Sequence, residues 1–319
     1  MEFCHANGKL LISGEYLVLH GAKALALPLK QGQSFSFTPA EPGKLHWVAK
    51  EQGRIWLDCT FDANLEILEE NKLQDTEGLQ KHNNTDPPNN SAEALQKILK
   101  EAAALMKGRE FPTGLRVECK LEFRRDWGWG SSSTLLWMLG RWLNIDPYTL
   151  MDRTIGGSGY DIACAGSNDP LFYRRLPGQQ AEVVVAPFNP PFLSQLGVVW
   201  TGRKQSSASE VKRFLQQRAK DQGLINRISE ISEQMVQTNT AREFSTLMDE
   251  HERLVAGATG LKPVREQIFP DFPGSIKSLG AWGGDFVLFM ARDTDFDTAQ
   301  YFTDKGYKTL FGLGELLYR

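Results

Sequence analysis

The residues best suited to chemistry lie in Asp126-Trp127-Gly128-Trp129-Gly130-Ser131-Ser132-Ser133-Thr134, ahead of a largely apolar stretch that runs to Leu143. Glycines at 128 and 130 let the backbone approach an anion closely. A helix starting at the serines turns unpaired N–H groups and the positive end of its dipole towards that anion. The hydroxyls of Ser131, Ser132 and Ser133 suit phosphate oxygens or a hard divalent cation. A glycine turn with serine N-caps is the plainer reading of the same residues. The commoner templates are absent: there is no Gly-x-x-x-x-Gly-Lys-Ser/Thr, and Ser133 stands where Gly-x-Gly-x-x-Gly needs its third glycine. A Gly-x-Ser-x-Gly nucleophile elbow around Ser158 fails because Tyr160 replaces its closing glycine.

Three further segments share this character. Gly8-Lys9-Leu10-Leu11-Ile12-Ser13-Gly14-Glu15-Tyr16 runs on to Gly21, with Ala24 to Pro28 behind it. Gly156-Gly157-Ser158-Gly159-Tyr160-Asp161 follows the serine loop, and Ser278-Leu279-Gly280-Ala281-Trp282-Gly283-Gly284-Asp285 comes near the end. Taken in order with the loop at 128–134, these four segments resemble the motifs of the GHMP small-molecule kinases, a family that includes galactokinase and the homoserine, mevalonate and phosphomevalonate kinases. A smaller likeness, Thr201-Gly202-Arg203-Lys204 with Ser206-Ser207, is to the mevalonate and phosphomevalonate branches.

The resemblance implies an ATP- and Mg²⁺-dependent kinase. Asp161 aligns with the carboxylate that takes or orients the proton of the acceptor hydroxyl, and Lys9 with the lysine that neutralises charge beside it. Gly128, Gly130, Ser131, Ser132 and Ser133 align with the phosphate loop, and Ser132 with the serine that holds Mg²⁺. Glu15, Ser158, Gly159, Gly283, Gly284 and Asp285 fall in segments facing substrate or phosphate. Asp152 is the nearest counterpart of the family's second metal carboxylate. Trp129 stands where the family has a small aliphatic residue, and Trp282 where it has a glycine. The implied fold is α+β in two domains, a ribosomal-protein-type N-terminal domain over 1–190 and a ferredoxin-like C-terminal domain over 191–319.

Patterning supplies the elements that would position these residues. Short or alternating apolar runs at Lys9 to Leu19, Ser34 to Thr38, Leu45 to Ala49 and Ile55 to Phe61 predict strands. The polar stretch from Gln74 to Ser91 reads as a loop, and Leu95, Ile98, Leu99, Ala102 and Met106 predict a helix after it. Leu115 to Phe123 is a predicted strand, so the serine loop sits between a strand and a helix. A strand-rich piece, Leu171 to Pro187, ends in a proline cluster. Helices are predicted at Ser209 to Ala219, Leu224 to Val236, Arg242 to Ala256 and Asp297 to Lys305, with a strand at Gly197 to Thr201 and turn-and-strand segments at Leu279 to Met290 and Lys308 to Leu313.

Composition narrows the classes. The 319 residues, 41% hydrophobic and 24% charged, describe a folded globular protein rather than a disordered or fibrous one. With 36 basic and 39 acidic side chains the net charge is -3, which provides no general attraction for nucleic acid. Nothing in the apolar runs reaches the ~20 residues of a membrane span. The chain reads as a cytoplasmic protein, monomer or homodimer, with an anionic small-molecule substrate. Lys9, Arg124, Arg125, Arg203, Lys204 and Lys277 at motif edges supply the cations for that anion. Cys4, Cys59, Cys119 and Cys164 show no metal or disulfide spacing and read as reduced core residues. The rival reading is a catalytically weak nucleotide-binding paralogue with a regulatory or sensing role, its cleft narrowed by the two tryptophans.

Overall fold

The computed structural model describes residues 2–71, 91–176, 178, 180–202, 221–280, 282 and 285–318. The predicted helix at Ser209 to Ala219 lies outside the described residues, as do Arg203, Lys204, Gly283 and Gly284. The chain forms two compact units that interleave along the sequence. One comprises 1–6, 32–125 and 131–156, the other 7–31, 126–130 and 157–319. Strands β1 (Phe3–Ser13) and β2 (Ala24–Pro39) are paired and are each divided between the units. The proline cluster at Pro187, Pro190 and Pro191 falls inside the second unit.

In the first unit β3 (Leu45–Glu51) and β4 (Arg54–Phe61) form a hairpin whose turn, Gln52-Gly53, has φ of 49° and 80° at its two residues. Two positive φ values give the turn the twist that an antiparallel ribbon needs. β5 (Ile67–Glu70) pairs with β4, and helix α1 (Ser91–Leu105) buries Ala92, Leu95, Ile98, Leu99 and Ala102 as its spacing predicts. Strand β6 (Leu115–Leu121) lies between β3, which it pairs in parallel, and residues 33–39 of β2. Helix α2 (Ser131–Leu143) follows, with α3 (Pro147–Arg153) against it. Asp146 caps α3 by accepting from the amides of Tyr148 and Thr149, with Pro147 at the first helical position, where no amide is needed.

The second unit contains α4 (Tyr160–Ala165), the antiparallel strands β7 (Leu171–Arg174) and β8 (Glu182–Val185), and β9 (Leu196–Trp200). Helices α5 (Gln222–Gln237), α6 (Ala241–Thr259) and the short α7 (Val264–Gln267) come next, followed by β10 (Gly274–Ser278), β11 (Phe286–Ala291), α8 (Thr298–Asp304), β12 (Leu310–Gly312) and α9 (Leu313–Leu316). The sheet order is β10-β11-β9-β12, all antiparallel. Every residue of β10 and β11 is buried. One face, with Ile276, Val287 and Phe289, packs on Val264, Phe269, Phe272 and Phe302. The other carries Ser275, which meets Ser245 of α6, and Lys277. Burial on both faces explains why β11 reads as a continuous apolar run rather than an alternation.

The apolar run Lys9 to Leu19 is not one strand, because β1 stops at Ser13 and residues 17–20 form a 3₁₀ turn. Gly14 makes the break: its φ is 98°, and a β-carbon there would stand 2.6 Å from that of Ala24. Both the left-handed conformation and the close strand exclude a side chain. The strand of the turn-and-strand segment Leu279 to Met290 is β11, which begins at Phe286, and β10 precedes the segment at Gly274–Ser278. All four cysteines are free and buried. No helix among the described residues is long and apolar enough to cross a membrane. Gly14→Ala is expected to destabilise the protein by about 1 to 3 kcal/mol, measured by urea unfolding.

Candidate active site

The site is organised on the turn at 126–130. The Lys9 amide of β1 donates to the Trp129 carbonyl at 3.1 Å, so the strand and the turn are tied through the backbone. Gly128 and Gly130 have φ of 67° and 94°. The Lys9 side chain lies across Gly130, where an added β-carbon would be 3.3 Å from its Cγ and 4.0 Å from the Asp161 β-carbon. Lys9 Nζ donates to the Tyr160 hydroxyl at 3.0 Å. Lys9, Gly130, Tyr160 and Asp161 therefore converge in one unit of the molecule. Asp161 sits in the first turn of α4, which starts at Gly159 with φ 90°, and its Oδ1 accepts from the Ile162 amide at 3.1 Å. The Ser158 carbonyl accepts from the Tyr173 hydroxyl at 2.7 Å, holding the approach to α4.

Burial opposes the charge on Lys9, but Tyr160, Asp161 and Asp285 outweigh it and hold the ammonium above its usual range. Burial also pushes the Tyr160 phenol up to about 12. At neutral pH the contact is thus an ammonium donating to a neutral phenol, and the negative charges acting on Lys9 are those of Asp161 and Asp285. Tyr160 is a site residue that sequence patterning missed, since nothing but its place beside Asp161 marked it.

Trp129 does not extend into open space. It is 1% exposed, stacked on Phe286 at 5.1 Å between ring centroids and packed edge-on against Trp127 at 4.7 Å, with Phe311 at 5.6 Å. Trp282 is buried too, its amide donating to the Tyr16 hydroxyl at 3.2 Å. Asp285, at φ 54°, rests its carboxylate on Gly128, where a β-carbon would stand 2.2 Å from Oδ2. Its own carbonyl accepts from the amide and hydroxyl of Thr201 at 2.8 and 3.0 Å.

In the first unit Ser131, Ser132 and Ser133 form the opening turn of α2; Ser132 is exposed and Ser133 buried. The Thr134 hydroxyl is held by Gln33 Oε1 at 2.6 Å and by the Ser131 carbonyl at 2.8 Å. Asp152 is an exposed residue of α3. Among the described residues no three His, Cys, Asp or Glu side chains gather as a metal cluster. An exposed serine hydroxyl following a glycine turn still fits Mg²⁺, which takes few protein ligands and shares the substrate's phosphates.

Glu15 and Lys277 lie away from solvent. Both are fully buried, and Lys277 Nζ donates to Glu15 Oε1 and, at 2.8 Å, to the Ser278 carbonyl. Glu15 Oε2 lies 3.1 Å from His251 Nε2, which also accepts from the Gly14 amide at 3.0 Å. Glu252 accepts from the Ser278 amide and hydroxyl, both at 3.0 Å. Burial raises the Glu15 carboxyl, with Lys277 opposing, and drives His251 well below its usual value. Lys277, one of the cations counted towards an anionic acceptor, is thus committed to Glu15. Of the others Lys9 is at the turn, and Arg125 stacks on Trp56 at 3.8 Å in the first unit.

No protein-family model matches the sequence, and no curated protein does. Solved structures do match. The phosphomevalonate kinase of Streptococcus pneumoniae, in complex with phosphomevalonate and AMPPNP, is 17% identical over 100% of this chain and 99% of its own, with a TM-score of 0.67. Methanococcus jannaschii mevalonate kinase is 14% identical over 97% and 96%, with a TM-score of 0.66. Lactococcus lactis galactokinase complexed with galactose is 12% identical over 97% and 92%, with a TM-score of 0.63. The chain has the fold of the GHMP kinases. In that fold the four glycine-containing segments come at the ends of β1, before α2, before α4 and between β10 and β11.

Lys277→Met would leave Glu15 buried without its counter-charge, and is expected to cost about 3 to 5 kcal/mol in urea unfolding, with much of it recovered in the Glu15→Gln, Lys277→Met double variant. His251 supplies a pH test. Its depressed pKa means that below about pH 6.5 the unfolded chain binds a proton that the folded chain refuses, so this group's contribution falls as pH falls. Unfolding measured at pH 7 and 5.5 should show a smaller acid loss in His251→Gln than in the wild type.

Proposed function

We propose that the protein is an ATP- and Mg²⁺-dependent kinase that phosphorylates a small metabolite. The observation that supports this most directly is the convergence of Lys9 and Asp161 over Gly130, immediately before the start of α2. In this reading the amides of 128–133 bind the polyphosphate, with α2 contributing its positive end. Mg²⁺ would neutralise phosphate charge there, and Ser132 would hold it through its hydroxyl, with Asp152 as a further ligand. Asp161 accepts the proton of the acceptor hydroxyl as that oxygen bonds to the terminal phosphorus and the bond to the leaving diphosphate breaks. Lys9, kept as an ammonium, balances charge at the same place. Phosphoryl transfer asks a protein chiefly for position and charge, and these groups supply both.

For the acceptor we infer an anionic hydroxy acid, mevalonate or phosphomevalonate. Motif likeness and the similar structures support this choice; among the latter is L. major mevalonate kinase in complex with R-mevalonate, with a TM-score of 0.64. The burial of Trp129 and Trp282 favours this reading over a catalytically weak paralogue with a cleft narrowed by them.

Asp161→Asn should lower kcat by about a hundredfold or more while ATP affinity, read by calorimetry, stays near that of the wild type. Full turnover in that variant would dismiss Asp161 as the base. A panel of mevalonate, phosphomevalonate, homoserine and neutral sugars at fixed ATP tests the acceptor. An anionic substrate should show KM rising with ionic strength, whereas preference for a neutral sugar would reject the mevalonate-type reading.

A further inference from the structure

We propose that Asn7, locked by the Tyr318 hydroxyl, is a positioning residue of the reacting groups: it fastens the far end of α4 to β1 and so sets Asp161 against Lys9. The inference rests on the reading of Lys9 and Asp161 as those groups, and adds to it two residues that lie outside the four glycine-containing segments.

A helix of six residues does not hold its own place, so the attachments of α4 decide where Asp161 stands. Burial of Ile162, Cys164 and Ala165 presses the helix down, but apolar packing is non-directional and leaves its register to polar contacts. The start is held by Lys9 on the Tyr160 hydroxyl and by the Tyr173 hydroxyl on the Ser158 carbonyl. The far end is held by Asn7, whose Nδ2 donates to the Ser167 carbonyl at 2.5 Å and to Asn168 Oδ1 at 2.9 Å. Ser167 moves with the helix, because its amide donates to the Cys164 carbonyl at 3.1 Å and the Gly166 amide donates to that of Ala163 at 3.3 Å. Asn7 and Lys9 are two residues apart on one face of β1, about 7 Å, and the helix between their attachment points is about 9 Å long. α4 therefore runs against the direction of β1 and is fastened to it at both ends.

The partners of Asn7 force the orientation of its amide. The Ser167 carbonyl can only accept, so the amide nitrogen has to face it, and the amide oxygen is left for Tyr318, whose hydroxyl donates to Oδ1 at 2.7 Å. Both N–H groups and the oxygen are thus engaged in a residue that is 5% exposed. Tyr318 is brought there by α9, which buries Leu313 and Leu316 and whose Glu315 carbonyl accepts from Lys30 Nζ of β2 at 3.3 Å. Removing the Tyr318 hydroxyl leaves the buried Asn7 oxygen without its donor and frees the amide to rotate away from Ser167. Leucine at position 7 keeps the branched shape and makes none of the three hydrogen bonds.

The test is steady-state kinetics on the full chain, with whichever of mevalonate, phosphomevalonate, homoserine and neutral sugars the wild type phosphorylates fastest. A misplacement of about 1 Å at reacting groups can cost about a hundredfold, so Asn7→Leu is expected to lower kcat at least about tenfold and Tyr318→Phe about threefold, each with KM for ATP within about twofold of the wild type. Because Tyr318 acts through Asn7, Tyr318→Phe should lower kcat no further in the Asn7→Leu background. A role in stability alone would shift urea unfolding and leave kcat of the folded enzyme unchanged. Wild-type kcat in folded Asn7→Leu, or independent effects of the two substitutions, overturns the inference. Should Asn7→Leu fail to fold by circular dichroism, Tyr318→Phe decides by the same split of kcat from KM. Hydrogen exchange read by mass spectrometry follows the fastening without turnover: it should be faster over 160–168 in Asn7→Leu or, where that variant does not fold, in Tyr318→Phe, and unchanged exchange there overturns the inference. A wild type that phosphorylates no acceptor overturns the kinase reading itself, and the exchange measurement tells that result apart from the lack of a fastening.

Discussion

The burial of Lys277 is the constraint from which much of the second unit follows. An ammonium in the middle of a strand covered on both faces has to meet a carboxylate, because the charge is too costly to leave unpaired in a dry interior. Glu15 meets it. To do so the chain has to leave β1 at Gly14, turn through Tyr16 with its positive φ of 60°, and form the 3₁₀ turn at Leu17–His20 before β2 begins. His251 and Glu252 of α6 complete the contact from the helix side, one accepting the Gly14 amide and the other the Ser278 amide. A single ion pair thus joins the end of β1, the end of β10 and the middle of α6. Of the segments that carry the proposed chemistry, two begin or end at those places.

The turn at 126–130 depends on a second principle, close approach without side chains. Gly130 leaves room for Lys9, and Gly128 leaves room for Asp285, while Trp129 between them packs on Phe286, Trp127 and Phe311. Aromatic packing of this kind adds to area burial through ring geometry and fixes the turn with little freedom. The bulky residue that looked, by composition, like an obstruction is an anchor. Its burial lets the two glycines present bare backbone and keeps the charged groups of β1, α4 and the start of β11 at fixed distances from it.

The alternation in β4 and β6 and the helical spacing in α1 were legible because each depends on neighbours within a few residues. So was the strand, glycine turn and helix order around Gly128, Gly130 and the serines, since backbone freedom and helix starts are local properties. The place of Asp161 was legible through its motif, and the structure puts it in the first turn of α4 beside Gly130. The run from Lys9 to Leu19 misled for a related reason: apolar periodicity continues past Gly14, and only contact with Ala24 shows why the strand cannot.

By itself, then, the sequence determined the mixed α and β elements, the glycine turn ahead of α2 and the order of the four glycine-containing segments. What only the tertiary structure decided is which charge answers which. Glu15 and Lys277 are 262 residues apart, Lys9 and Tyr160 are 151 apart, and the carboxylate on Gly128 comes from Asp285. Periodicity and spacing report which face of an element is buried, but a buried charge is matched by whatever partner the fold brings to it, and that partner's distance along the chain carries no signal. The same holds for Trp129, whose size is written in the sequence and whose direction is set by the Phe286 and Phe311 rings that happen to lie beneath it.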